Sequence, residues 1–193
     1  MNFEQQGINK IIRERRSVYP KFYNERQIEE EVLLQILENA NWAPTHKLTE
    51  PWRFIVFRGE SRKVLGDYLA AAYRKNTDAA AFSEFKYQKK RKKVLQANVI
   101  IAICMQRDPE ERIPEWEEMA ATACAVQNMQ LTCHAYGIGC YWSTPKGILA
   151  ADEFLKLPEG QRCLGLLYMG YHDAPKLSGT RGDVRQKIRF FDI

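Results

Sequence analysis

From Met119 to Pro145 the chain contains no Asp, Glu, Lys or Arg, and so long an uncharged stretch has to be enclosed by something. A lipid-spanning helix needs about 20 predominantly apolar residues. Here the first sixteen positions include Thr122, Gln127, Asn128, Gln130, Thr132 and His134, too many polar groups for lipid. The stretch instead predicts a long helix, Glu115 to Tyr136, buried inside protein and stopped by Gly137 and Gly139. The expectation is a soluble protein with no membrane partner.

At 193 residues the chain suits one domain over 1–193, large enough to build a core without a metal or disulfide staple. Its 4 Trp, 9 Tyr and 9 Phe need that core, which excludes disorder as the main state. Five cysteines with no CxxC pair, and no apolar segment at Met1–Gln6, point to a reducing, cytoplasmic setting. The formal charge of +5 is local. Residues 86–93, Lys-Tyr-Gln-Lys-Lys-Arg-Lys-Lys, carry six positive charges, and without them the balance is −1. Such a run is read as a solvated helix face beside a dimer surface, with no nucleic-acid partner, because Tyr87 alone interleaves it.

The apolar spacing of Phe3, Ile8, Ile11 and Ile12 predicts an amphipathic helix from Phe3 to Arg15. Ile28, Val32, Leu33, Ile36, Leu37 and Ala40 predict a second helix over Gln27 to Trp42, ending before Pro44. Further helices are expected over Ser61–Lys75, Ala79–Leu95 and Ile148–Leu155. Strands are expected at Phe54–Phe57, Val99–Cys104, Gly139–Trp142 and Cys163–Tyr171, with a polar, basic tail over 172–193. Strands separated by helices place the chain in a mixed class, and the long N-terminal helical part argues for α+β. Phe57-Arg58-Gly59-Glu60-Ser61 lacks the glycine spacing of a Rossmann turn.

Three groups of residues could carry chemistry. Arg15-Arg16-Ser17 offers two guanidiniums and a hydroxyl, which suit a phosphate, although basic residues also favour a helix C-terminus. Asn41-Trp42-Ala43-Pro44-Thr45-His46-Lys47, followed by Pro51-Trp52-Arg53-Phe54, sets polar donors beside aromatic surface, as a flat heterocycle requires; a plain surface loop is the alternative. Gly137-Ile138-Gly139-Cys140-Tyr141-Trp142-Ser143 reads either as close-approach glycines before a strand or as a simple helix stop.

In this order and spacing the three groups, together with the closing strand Leu166-Leu167-Tyr168-Met169-Gly170-Tyr171, resemble the nitroreductase family of flavin enzymes, above all its short members. The resemblance implies a three-layer α+β sandwich with a central mixed sheet, in an intimate homodimer holding FMN at its interface. It implies that Arg15, Arg16 and Ser17 hold the FMN phosphate and ribityl edge. By the same resemblance Trp42 and His46 reach the flavin from the second subunit. Tyr141, Trp142 and Ser143 line it from the far side, Arg181 supplies a further phosphate contact, and the tail packs on the partner. Where many relatives carry a cation two or three residues past the serine, this chain has Tyr19 and Pro20, and its first cation is Lys21.

The activity implied is transfer of hydride from NADH or NADPH through FMN to a nitroaromatic, quinone or similar electron-poor acceptor, with donor and acceptor alternating at one face. No catalytic acid or base is named, since the flavin carries the chemistry. A flavin protein of the same fold with another task, such as reductive dehalogenation, flavin delivery or regulation, is the alternative. A metal site from Cys124, Cys133, His134 and Cys140 is set aside because the spacing fits no known ligand pattern.

Overall fold

The computed structural model describes residues 3–175 and 178–191; positions 1, 2, 176, 177, 192 and 193 lie outside that description, as does the side chain of Phe3. Its strands are β1 (Trp52–Phe57), β2 (Val99–Gln106), β3 (Ile138–Ser143) and β4 (Gln161–Tyr171). Its helices are α1 (Phe3–Glu14), α2 (Glu30–Asn41), α3 (Ser61–Lys75), α4 (Glu84–Leu95), α5 (Glu115–Ala135) and the single turn α6 (Asp152–Leu155).

Strand β2 organises the rest. Its residues Val99 to Met105 are all buried, so both faces of the sheet need a cover. Side chains alternate along a strand. Val99, Ile101 and Ile103 enter a core with Ile36 of α2 and Ala125 and Met129 of α5. Ile100, Ala102 and Cys104 enter a second core with Leu65 and Leu69 of α3 and Val94 of α4. The result is the expected layering, with α2 and α5 on one face and α3 and α4 on the other.

One expectation is corrected. The sheet is not mixed: β1 pairs with β2, β2 with β4, and β4 with β3, all antiparallel, in the order β1-β2-β4-β3. Each helical excursion returns the chain beside a strand running the other way. Among the described residues the parallel pairing is a lone bridge between Ser17 and Cys140.

Several boundaries move for identifiable reasons. Helix α2 starts at Glu30 rather than Gln27 because Asn98 holds the preceding residues extended: its Oδ1 accepts from the Ile28 N–H at 2.7 Å and its Nδ2 donates to Gln27 Oε1 at 2.7 Å. The helix expected over Ala79–Leu95 divides into a 3-10 turn, Ala79–Ala81, and α4, where the Ser83 hydroxyl caps the new N-terminus by accepting from the Lys86 N–H. Ile148–Leu155 likewise divides into a 3-10 turn and α6.

The long helix departs from expectation more consequentially. Its inner face, Ala121, Ala125, Val126, Met129 and Cys133, is buried against the sheet. Its outer face is not: Trp116 is 65% exposed, and Met119, Ala120, Ala123 and Cys124 are exposed as well. Ile8 and Ile12 of α1, which packs beside α5, are also exposed. No helix is long and apolar enough to cross a membrane among the described residues.

The two glycines after α5 do different things. Gly137, at φ +70°, ends the helix in the left-handed region and has open space around it. Gly139 permits close approach: a Cβ there would lie 2.8 Å from His172 Cδ2, 2.8 Å from Val18 Cβ and 3.0 Å from Tyr23 Cε1. Gly139→Ala is therefore expected to destabilise the fold by about 1–3 kcal/mol through overpacking, read as a lower urea midpoint. An unchanged midpoint would show that the three segments are not held this tightly.

Candidate functional site

Helix α1 ends at Glu14, and the chain then runs extended as Ser17 bridges to Cys140 and the Val18 N–H donates to the Cys140 carbonyl at 3.0 Å. This docking of residues 17–18 on β3 fixes Arg15 and Arg16 at the mouth of a cleft of about 440 Å³, walled by His134 of α5, His172 after β4 and the tail at Ser178–Gly179. Arg16 Nη1 donates to the carbonyls of Arg13 at 2.6 Å and Arg15 at 2.7 Å. Among the described residues, Arg15 Nη1 and Arg16 Nε are buried without a partner. Gly179 lies against the Arg16 guanidinium, and a Cβ there would require that side chain to shift.

A buried guanidinium N–H with nothing to donate to is costly, and here it faces a cleft of positive character. His134 reports the field: burial lowers its pKa, Glu14 opposes that, and Arg15, Arg16 and His172 lower it further. An anion with several acceptor oxygens suits such a cleft.

The loop after α2 is built differently. Lys47, Leu48 and Glu50 all have positive φ, at 50°, 54° and 40°. Left-handed conformations cost non-glycine residues roughly 1–2 kcal/mol each. The loop is pinned by the Glu50 N–H donating to Thr45 Oγ1 at 3.1 Å and by Lys47 Nζ donating to the Arg112 carbonyl at 2.9 Å. On it stand His46, exposed and 2.6 Å from Glu117 Oε2, and Trp42, 79% exposed with its indole N–H donating to Glu38 at 2.9 Å. Backbone strain of this kind concentrates at functional loops.

These two groups do not meet within one chain. His46 touches Glu117, near the start of α5, whereas Arg15 shares its cleft with His134 at the other end. At 1.5 Å per residue the two ends lie about 26 Å apart. Residues 141–143 sit beside Ser17 through the Cys140 bridge but divide across the sheet. Trp142 packs toward the α2/α5 core with its Nε1 buried and unpartnered. Tyr141 joins the α3/α4 side, where its ring lies 4.6 Å from that of Tyr19 and its hydroxyl lies 3.1 Å from Ser143 Oγ. Arg181 follows the tail segment at the cleft, but its guanidinium is exposed and donates to the Thr180 carbonyl at 2.8 Å.

His134 and His172 are cleft residues that motif reading passes over, since each is a lone histidine at the end of an element. A second omission supports the strained loop from beneath. Glu118, fully buried, pairs with Arg107 and accepts the Asp108 N–H at 2.7 Å. Asp108 in turn holds Arg112 at 2.8 Å, and that side-chain bond keeps its carboxyl down at about 2. Arg112 carries the carbonyl that Lys47 grips. Charge alternation over 107–118 is the one sequence trace of this network. Among the described residues no cluster of three His, Cys, Asp or Glu forms, and Cys124 is exposed rather than in the core. Glu118→Ala, which strands Arg107, should lower the unfolding free energy by about 3–5 kcal/mol in urea titration; a loss within 1 kcal/mol would contradict the buried-pair assignment.

Comparison with known proteins identifies the family and the fold. The sequence profile described as Nitroreductase family matches residues 12–171. A Bacillus subtilis protein provisionally named NAD(P)H nitroreductase YfhC is 30% identical over 180 residues, spanning 92% of this chain and 91% of its own. A nitroreductase-like family protein from Bacillus cereus has a TM-score of 0.79 at 31% identity, over 96% of each chain. A provisionally named nitroreductase of Desulfovibrio desulfuricans, crystallised in complex with FMN, has a TM-score of 0.73 at 27% identity, covering 100% of this chain and 99% of that one. With the α+β layering and these matches together, the chain belongs to the nitroreductase family of NAD(P)H oxidoreductases.

Proposed function

We propose that the protein is an FMN-dependent oxidoreductase that passes hydride from NADH or NADPH to a nitroaromatic, quinone or similar electron-poor small molecule, and that it works as a homodimer. The observation that carries the reading is Arg15 Nη1, buried without a hydrogen-bond partner among the described residues, on a half-buried side chain that lines a cleft shared with Arg16, His134 and His172. It is a donor waiting for acceptor oxygens, and the FMN phosphate supplies them. Arg16 and Ser17 flank it, and Arg181 stands close enough along the chain to add charge. Tyr141, Trp142 and Ser143 continue along the strand that the Arg-Arg-Ser segment docks on, which suits the ring system beyond the phosphate.

The dimer supplies what one chain lacks. Trp42 and His46 lie at the wrong end of α5 to touch a flavin held by Arg15, and a two-fold copy can bring them there. The uncovered face of α5, together with Ile8 and Ile12, is an apolar surface that a second chain would bury. Phe190 and Phe191, 80% and 81% exposed, suit a tail that packs on the partner.

Bound FMN supplies the hydride-accepting centre, while the chain holds and orients the ring and tunes its potential through charge and hydrogen bonds. For a nitro compound the net two-electron reaction consumes one NAD(P)H and one proton and yields a nitroso compound, NAD(P)+ and water.

Two measurements test this. Arg15→Ala removes a charge-assisted contact of about 1.5–3 kcal/mol, which predicts roughly 10- to 150-fold weaker FMN binding and nearly unchanged riboflavin affinity. Equal losses for both ligands would assign Arg15 a structural role. Sedimentation at micromolar concentration should show a dimer; a monomer that still binds FMN would remove the shared-site reading.

A further inference from the structure

The basic run of residues 86–93 forms much of α4, and one stripe of that helix faces a groove. Phe85, Lys89, Lys92 and Lys93 recur at helical spacing along it, and Tyr19 and Lys21 form the opposite wall. The groove encloses about 590 Å³, within the usual range for a small-molecule site. Phe85 is 75% exposed and gives the groove an aromatic surface.

The charges are unusual because no described carboxylate answers them. Arg74 and Arg91, on the neighbouring helical surfaces, each have a carboxylate: Glu84 at 3.7 Å and Asp67 at 2.6 Å. Among the described residues Lys21, Lys89, Lys92 and Lys93 have none. Three of them lie over aromatic rings instead: Lys21 over Phe22 at 4.7 Å, Lys89 over Phe85 at 6.0 Å, and Lys93 over Tyr141 at 4.7 Å and Tyr168 at 5.0 Å. Like charges three and four residues apart on a helix repel. Crowding is also felt on the far side of α4, where burial lowers the Lys90 pKa and Lys93 and Lys146 lower it further.

Position decides what this pocket serves. The Tyr19 ring of the groove packs tilted, at 49°, against that of Tyr141, a residue expected to line the flavin, and Lys93 lies over that same Tyr141 ring. From an apolar wall, uncompensated cations and continuity with Tyr141, we infer that the groove binds the electron acceptor, and that the acceptor is a planar aromatic compound bearing a carboxylate or sulfonate. The ring lies against Phe85 and Tyr19, and the anionic group meets Lys89, Lys92 and Lys21. This deepens the flavin reading and rests on it for the word acceptor, but the binding chemistry belongs to the groove alone.

The test compares 4-nitrobenzoate with the neutral 4-nitrobenzamide, which has nearly the same shape, by calorimetric titration into the purified protein with and without added FMN. The benzoate should bind about five- to tenfold tighter, the sum of two or three exposed charge pairs. That preference should disappear in the K89E/K92E variant, and should shrink in salt high enough to reduce the screening length from about 10 Å to about 3 Å. Equal affinities, or a preference that K89E/K92E leaves intact, overturn the inference. An FMN titration of the same samples separates the two readings. Tight FMN binding with no benzoate preference removes the groove and spares the flavin site, whereas a preference without FMN binding does the reverse.

Discussion

The central helix carries apolar residues all round, and its own chain buries one face of them and leaves the other exposed. Ala125, Val126, Met129 and Cys133 close the core between α5 and the sheet, while Trp116, Met119, Ala123 and Cys124 face outward. The same helix sets the distance between the Arg15 cleft at one end and the His46 loop at the other. Packing and function therefore make one demand. In the proposed dimer, the exposed apolar face lies between two part-sites that a second copy would bring together.

Electrostatics divides the molecule by sheet face. On the α5 side, Arg15 and Arg16 converge with two histidines on a cleft where a buried N–H lacks an acceptor among the described residues. That arrangement gives a strong, short-range demand for a phosphate-like group. On the α4 side the cations are lysines, exposed or half-buried along an open groove, which suits attraction rather than a fixed grip. Strand β3 links the two, carrying Cys140 and Trp142 toward one face and Tyr141 toward the other. In the proposed enzyme that alternation lets one strand serve both a cofactor and the molecule that meets it.

Much of this was legible in the residues, because local signals and tertiary demands agree. Val99-Ile100-Ile101-Ala102-Ile103-Cys104 could only be a strand buried on both faces, and Ser61–Lys75 forms as a helix over the expected span. Strand direction was not legible: nothing in an apolar run says which way its neighbour travels, so the antiparallel ladder had to be seen. The start of α2 was hidden because Asn98, some seventy residues away, claims the backbone at Ile28. Of the site, the Arg-Arg-Ser segment could be read because its chemistry is packed into three adjacent residues. His134, His172 and Glu118 could not, since each gains meaning only when other elements reach it. The outward face of α5 was misjudged for a related reason. Absence of charge says that a surface is covered, but not whether its own chain or another one covers it.

The claim that joins these observations is that each flavin site is assembled from two chains. It is tested most directly by mixing two defective proteins, Arg15→Ala and the double variant Trp42→Ala/His46→Ala, after reversible dissociation. Random pairing makes about half of the dimers mixed, and each mixed dimer regains one site with both halves intact. FMN titration of the mixture should then recover wild-type affinity at about a quarter of all sites, whereas neither variant alone shows any. A mixture that binds FMN no better than its two components would mean that each site is complete within a single chain.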